Sequence, residues 1–396
     1  MDRAERAATL RRWALEAGFD QAGVAALDPF ERGPEYVRWL ERGDHAGMSW
    51  LGRRLAERLE PARVLAGARS ALCVALRYHP LAGEEEPAGD LWPRVARYAR
   101  GRDYHNLMGK RLRRLAARVR GEFPGAGTRW YVDTGPVLER ELAARAGLGV
   151  QGKNTCLLTR AGSWLLLGEL FTTLDLEPDE PLADLCGRCR LCLDACPTGA
   201  LPAPYRLDAN RCISYWTIEH RGAVPPERRR DLADWVFGCD VCQEVCPWNR
   251  PKNLDREPPS AEPDLRLPAR RRELDLAGLL GLDADGYRER FGGSAMQRAG
   301  HEGLRRNAAT AMGNRGEARH AEPLARALAA DPSPVVRGHA AWALGEIGGE
   351  SARAALAAAL AGEADPAVRD EAAAALARLT PFQPAPILIR PEFSEG

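Results

Sequence analysis

CGRCRLCLDACPTGA, residues 186–200, sets Cys186, Cys189, Cys192 and Cys196 at C-x2-C-x2-C-x3-C spacing, with Pro197 directly after the last. Short loops of this kind let three thiolates grip three irons of one cubane, while the fourth cysteine is carried on the next turn toward a second cluster. A second cluster is therefore implied. GCDVCQEVCPWN, residues 238–249, contributes Cys239, Cys242 and Cys246 at C-x2-C-x3-C followed by Pro247, and Cys212 lies upstream in RCISY. By ferredoxin logic one 4Fe-4S cluster takes Cys186, Cys189, Cys192 and Cys246, and the other takes Cys196, Cys212, Cys239 and Cys242. The second run lacks a middle cysteine and borrows Cys212. Two structural zinc sites would also use eight thiolates, but crossed spacing of this type is rare in zinc modules. Cys73 and Cys156 fall outside the pattern and read as buried structural thiols. Two cubanes make a one-electron relay, which implies an acceptor site elsewhere in the chain.

Composition agrees with a redox protein that keeps its thiols reduced. The chain has 396 residues, enough for two or three domains, and 45% hydrophobic content, normal for a globular protein. With 56 basic against 55 acidic residues, bulk charge predicts neither a polyanionic nor a polycationic partner, so any nucleic-acid surface must be local. The N-terminal MDRAERAATLRRWALEAGFD interleaves charge with apolar residues and lacks a signal-peptide core. The most apolar run, residues 164–171, is too short to span a bilayer. A cytoplasmic protein is expected, and its ten cysteines should then serve ligation rather than disulfides.

Outward from the cysteines, residues 1–180 mix helical and strand patterns: a helix over 3–17, strand-like runs at 71–79 and 129–133, and apolar runs at 155–159 and 163–173. This reads as an α/β domain. RWYVDTGPVLERELAARAGLG passes from strand residues Trp130, Tyr131 and Val132 through a Gly-Pro turn into a helix, with Pro136 suited to its first turn. Asp133 then sits at a strand's carboxyl end, where α/β sheets bind ligands. Residues 181–255 form the ferredoxin-type module, and 256–298 a proline-bearing linker with connecting helices. Residues 299–380 repeat: LRRNAATAMGNRG, VVRGHAAWALGEIGG and AVRDEAAAALARL align on Arg306, Arg337 and Arg369 with periods of 31 and 32 residues, which predicts all-α HEAT-like stacking. Residues 381–396 read as an irregular tail. No G-x-G-x-x-G fingerprint supports a flavin or nicotinamide site.

Together these stretches resemble the epoxyqueuosine reductases of tRNA queuosine biosynthesis, a cobalamin-dependent family related to reductive dehalogenases. The resemblance runs through RYARGRDYHNLMGKRL (97–112), YVDTGPVLERELAARAGLGVQGKN (131–154), SWLLLGELF (163–171), both cysteine runs, RCISYWTIEHRGAVP (211–225) and GLRRNAATAMGN (303–314). It implies a cobalamin-binding first domain and reductive removal of the epoxide oxygen at the wobble position, consuming two electrons and two protons. The family's proton donor falls on Asp133, which would need a raised pKa, as partial burial beside Trp130, Tyr131 and the corrin could provide. Carried over in the same way, Arg58, Tyr98, Ala99, Asp133, Lys153, Asn154, Ser214, Asp240 and Val241 are expected to contact cobalamin.

For the RNA partner, Arg100, Arg102, Lys110, Arg111, Arg113, Arg114, Arg118 and Arg120 concentrate positive charge, opposed by Asp103 alone. A solvated helix face has the same pattern. Tyr104 and His105 are suited to stack on or hydrogen-bond a splayed base, or to fill a core. Arg305 and Arg306 are the further RNA candidates, whereas Arg337 and Arg369 are expected to pair with aspartates of neighbouring repeats. An external one-electron donor and a monomeric state are expected. A small-molecule reductase of dehalogenase type, or an electron-transfer protein on a HEAT scaffold, would share the cysteine pattern; corrin content and activity on epoxyqueuosine in tRNA separate the three.

Overall fold

The computed structural model describes residues 1–81 and 94–379. The tail expected at 381–396 lies outside them. Its centre is a four-stranded sheet of β1 (Gln21–Ala26), β2 (Ser70–Arg77), β3 (Thr128–Tyr131) and β4 (Leu165–Thr172), in the order β1-β2-β4-β3. Every pairing in it is antiparallel. The α/β expectation needs that correction, because a ligand edge at the carboxyl ends of the strands belongs to parallel sheets. β2 is buried at all eight positions, so both faces of the sheet are covered. Leu72, Val74 and Leu76 point toward α1 (Arg3–Glu16) and α2 (Tyr104–Glu122), where Leu10, Met108 and Leu112 meet them. The alternate residues Ala71, Cys73 and Ala75 face α3 (Glu139–Arg145) and pack with Leu142 and Ala143. Period-two alternation of a strand thus feeds two separate apolar layers.

Helix ends follow local chemistry. Asp2 caps α1 in a reciprocal pair with Glu5, and the Asp103 side chain accepts the backbone N–H of His105 at the start of α2. Pro136 does not reach the first turn of its helix. α3 begins at Glu139, and residues 132–138 form an irregular turn in which Asp133 has φ +58°. Left-handed backbone at a residue other than glycine is strained and is often found at functional sites.

The cysteine-bearing module has little regular structure beyond the single turns Leu191–Asp194 and Val241–Glu244 and a strand, Trp235–Phe237, that pairs in parallel with Arg94–Val95. The proline-rich stretch after it lies against the sheet domain: Ser260 N donates to Pro80 O, Arg102 N donates to Asp264 O, and Glu262 pairs with Arg111.

The C-terminal part stacks α4 (Gly300–Arg315), α5 (Ala321–Ala330), α6 (Pro334–Ile347), α7 (Gly349–Gly362) and α8 (Pro366–Leu379). Alanines such as Ala308, Ala340 and Ala372 fill the seams, and Leu276, Leu279, Leu280 and Phe291 of the connecting helices join the same core. The structure corrects the repeat register. Arg305 pairs with Asp331 at 2.7 Å and Arg337 with Glu363 at 2.7 Å, each across 26 residues, so Arg305 rather than Arg306 is the equivalent of Arg337. The ladder uses one aspartate and one glutamate. Arg369 donates instead to the carbonyls of Glu363 and Ala364.

Candidate active site

The eight thiols neighbour one another in two groups, and Cys186, Cys189, Cys192 and Cys246 line one small cavity. Burial raises the Cys192 thiol to about 11, and Cys186, Cys246 and Cys189 add to the shift. Burial likewise raises Cys239 to about 12, with Cys212 and Cys196 as its thiol neighbours, and Cys242 in turn feels Cys239 and Cys212. Cys246, distant in sequence, belongs with the first run, and Cys196 with the second. Among the described residues no three His, Cys, Asp or Glu side chains converge tightly enough to share a single metal ion. Two crossed quartets of cysteine suit cubanes, which spread four sulfurs around four irons.

The loops are held by residues outside the motif. Lys153 Nζ donates to the carbonyls of Gly187 at 2.6 Å and Cys189 at 2.8 Å, and Asn154 Nδ2 donates to Cys242 O at 3.2 Å. Burial raises the Cys212 thiol, and the adjacent Ser214 backbone and hydroxyl oppose that shift. Three residues expected at cobalamin are thus engaged with cluster loops. Cys156 is half-buried and its thiol pKa is lowered chiefly by Cys242, so it neighbours that cysteine rather than the apolar core; Cys73 is buried as expected. Gly238, at φ +70°, starts the second run where a side chain would strike Ala96.

Asp133 closes the other side of the site. Its carboxylate is 60% exposed, so the protein does not provide the burial expected for it. His105 Nε2 lies 3.3 Å from Asp133 Oδ2, and His105 Nδ1 lies 2.7 Å from Asp103 Oδ1. Burial alone would lower the His105 pKa, but hydrogen bonds and charge from Asp103 and Asp133 outweigh it and raise the value to about 9. The Asp133 backbone N–H donates to Glu139, a residue that sequence reasoning missed. Tyr104 stacks on His105 with ring centres 4.1 Å apart, and Tyr98 meets Tyr104 edge-on at 6.0 Å.

Tyr98 links the two halves. Burial raises its pKa, and the next contributions come from Asp133 and then Asp240. Asp240, 2% exposed between cluster cysteines, accepts the Arg97 backbone N–H at 2.7 Å; burial pushes its pKa up to about 6. Tyr98 therefore feels the carboxylates of both the Asp133 turn and the Cys239–Cys242 loop. Nearby, Trp164 Nε1 and the Tyr131 hydroxyl are buried without a partner among the described residues. These features fit a corrin. Arg58 is buried beside Tyr36, and Ala99 is fully buried.

The RNA candidates divide. Arg306, 1% exposed, donates to the carbonyls of His220, Gly222 and Trp216, and Arg305 is spent on Asp331, so neither is available to RNA. Within the basic stretch Arg111 is engaged with Glu262 and Arg118 with Glu16, whereas Lys110, Arg113 and Arg114 remain exposed. Arg100 donates to Val95 O, and Arg102, though exposed, faces Asp264. His105 and Tyr104 belong to the acid. Arg298, absent from the sequence reading, lies over the Trp50 ring, is held by Glu219 and feels Asp133 and Tyr98. Nothing in its local sequence marked it.

Comparison with known proteins bears on the same residues. Residues 185–249 match the 4Fe-4S double cluster binding domain, 58–134 the family described as Epoxyqueuosine reductase QueG, DUF1730, and 293–377 HEAT repeats. An epoxyqueuosine reductase of Xanthomonas campestris is 41% identical over 353 residues, covering 85% of this chain and 95% of the relative. The chain belongs to the epoxyqueuosine reductase family. The Escherichia coli epoxyqueuosine reductase is 38% identical over 318 residues, covering 79% of this chain and 82% of its own. Among solved structures, an epoxyqueuosine reductase with an epoxyqueuosine-modified tRNA-Tyr stem loop superposes with TM-score 0.87 at 31% identity, covering 95% and 99% of the two chains. The epoxyqueuosine reductase of Bacillus subtilis, with the loop of its catalytic aspartate swung out of the active site, gives 0.85 at 30% over 95% and 99%. No helix among the described residues is long and apolar enough to cross a membrane.

Proposed function

We propose that the chain reduces epoxyqueuosine to queuosine at the wobble position of tRNA anticodons, with two 4Fe-4S clusters and cobalamin as cofactors. The observation that supports this reading is the chain of side chains in which His105 lies 3.3 Å from Asp133 and 2.7 Å from Asp103, in a protein that also carries a 4Fe-4S double cluster binding domain. Relatives that bear the name epoxyqueuosine reductase, one of them crystallised with the modified stem loop, support the substrate.

Removing the epoxide oxygen consumes two electrons and two protons, and the oxygen leaves as water. Cobalamin, when bound, supplies a low-valent cobalt able to reduce a strained carbon–oxygen bond. Asp133 Oδ2 passes the proton to the departing oxygen. His105 holds that proton at Nε2 through neutral pH, and Asp103 on Nδ1 fixes the ring's orientation. Tyr104, stacked on His105, keeps the imidazole edge toward Asp133. Tyr98, Ala99, Asp240 and Val241 are assigned to the corrin. Ser214, Lys153, Asn154 and Arg58 act behind them, on the cluster loops and the wall. Exposed Lys110, Arg113 and Arg114 are suited to phosphates, and Arg298 stands at the mouth.

Anaerobic reconstitution tests the reading. Protein with about eight irons, bound corrin and conversion of epoxyqueuosine in a tRNA stem loop is expected. Zinc in place of iron, or no conversion by loaded protein, would overturn it.

A further inference from the structure

Glu169 lies in β4 on the face covered by α3, opposite Cys73 of β2 and Tyr131 of β3. It is 0% exposed, and neither carboxylate oxygen meets a donor among the described residues. Leu142, Leu167 and Phe171 make the layer around it apolar. An ionised carboxylate in such a layer has nothing to replace its lost water, and neutralises instead. Glu139 opens α3, the helix packed on this strand, and its carboxyl acts on Glu169. Two carboxylates would repel, whereas one acid and one carboxylate are both satisfied by a single proton between them. Glu139 also accepts the backbone N–H of Asp133, so the buried pair touches the strained turn that carries the acid.

We propose that Glu169 and Glu139 share one proton, and that this pair positions the Asp133 turn for the reduction described above, on which the proposal rests. When the shared proton is lost, two adjacent carboxylates repel, and Glu139 no longer holds the Asp133 backbone N–H in place. The charged and titratable groups around the pair are Cys73, Tyr131, Asp133, His105, Arg140 and Arg145. Burial, then Asp133, raises Glu139 to about 8, and burial, then Glu139, raises Glu169 well above its ordinary value.

Infrared spectroscopy of the whole protein tests the shared proton without substrate or loaded cofactor. A protonated-carboxyl C=O band should be present at neutral pH, shift in D2O and vanish in Glu169→Gln. In the loaded enzyme, single-turnover rate should fall as pH rises through about 8. Glu169→Gln, whose amide donates to the Glu139 carboxylate and stabilises it, should move this limb about one pH unit toward acid. Glu139→Gln should abolish it, leaving the higher limb of His105. Absence of a protonated-carboxyl band removable at Glu169 overturns the pair even if the reductase is active. A basic limb unmoved in both variants overturns its part in turnover, and should Glu169→Gln fail to fold, Glu139→Gln alone decides both points by its band shift and its limb.

Discussion

The His105 imidazole is clamped between two carboxylates, 2.7 Å from Asp103 and 3.3 Å from Asp133. Its folded-state pKa of about 9 stands above the ordinary 6.5. A raised value means that the clamp contributes its full stability below about pH 6.5 and loses it as pH rises through about 9. Thermal melts of the wild type should therefore decline across that window, and His105→Gln should flatten the decline. A wild-type melting profile that is level between these limits would contradict the imidazolium.

On the proposed reading Asp133 hands on the proton, so Asp133→Asn should slow single-turnover reduction by about 10²- to 10⁴-fold. Iron and corrin content should stay at wild-type levels, because the exposed side chain supports neither cluster loop. Rapid-quench measurement of queuosine formation decides it; a rate within twofold of wild type removes Asp133 from the chemistry.

Arg306 serves the fold. Its guanidinium satisfies three main-chain carbonyls and Asn307 between the helical stack and the segment after Cys212. Truncation leaves those groups buried and unpaired, so Arg306→Ala should destabilise the protein by more than about 2 kcal/mol in urea unfolding. Exposed Arg102→Ala should change stability by less than about 0.5 kcal/mol. Equal effects of the two would contradict the burial argument.

Cys212 is the proposed ligand outside both runs, and Cys196, Cys239 and Cys242 are among its thiol neighbours in the fold. Cys212→Ala should cost the second cluster, taking iron from about eight to about four per chain, while Cys73→Ala leaves it at about eight. Iron analysis together with paramagnetic resonance distinguishes the outcomes.

The cysteine runs were readable because ligand spacing is a local property: the loops that hold a cubane are a few residues long, and the leftover cysteine points outward by the same geometry. HEAT-like stacking was readable from its period. The register was not, since Arg305 and Arg306 are adjacent in sequence and only helix packing turns one toward Asp331 and the other into the core. The same holds for the basic stretch at 100–120, where Glu16 and Glu262 come from distant segments to neutralise two of its arginines.

By itself the sequence determined a double 4Fe-4S module and helical repeats, and it put forward the crossed assignment of eight cysteines and, through its resemblance, Asp133 as the acid. Tertiary structure decided that the sheet is antiparallel, that His105 rather than burial keeps a proton beside Asp133, and that Glu139 and Glu169 lie behind it. The physical reason is reach. Ligand spacing and helical period act over a few residues of continuous chain, whereas the environment of a titratable group is set by whichever charges and apolar surfaces the fold brings within a few ångströms, and those come from strands and helices far apart in the chain.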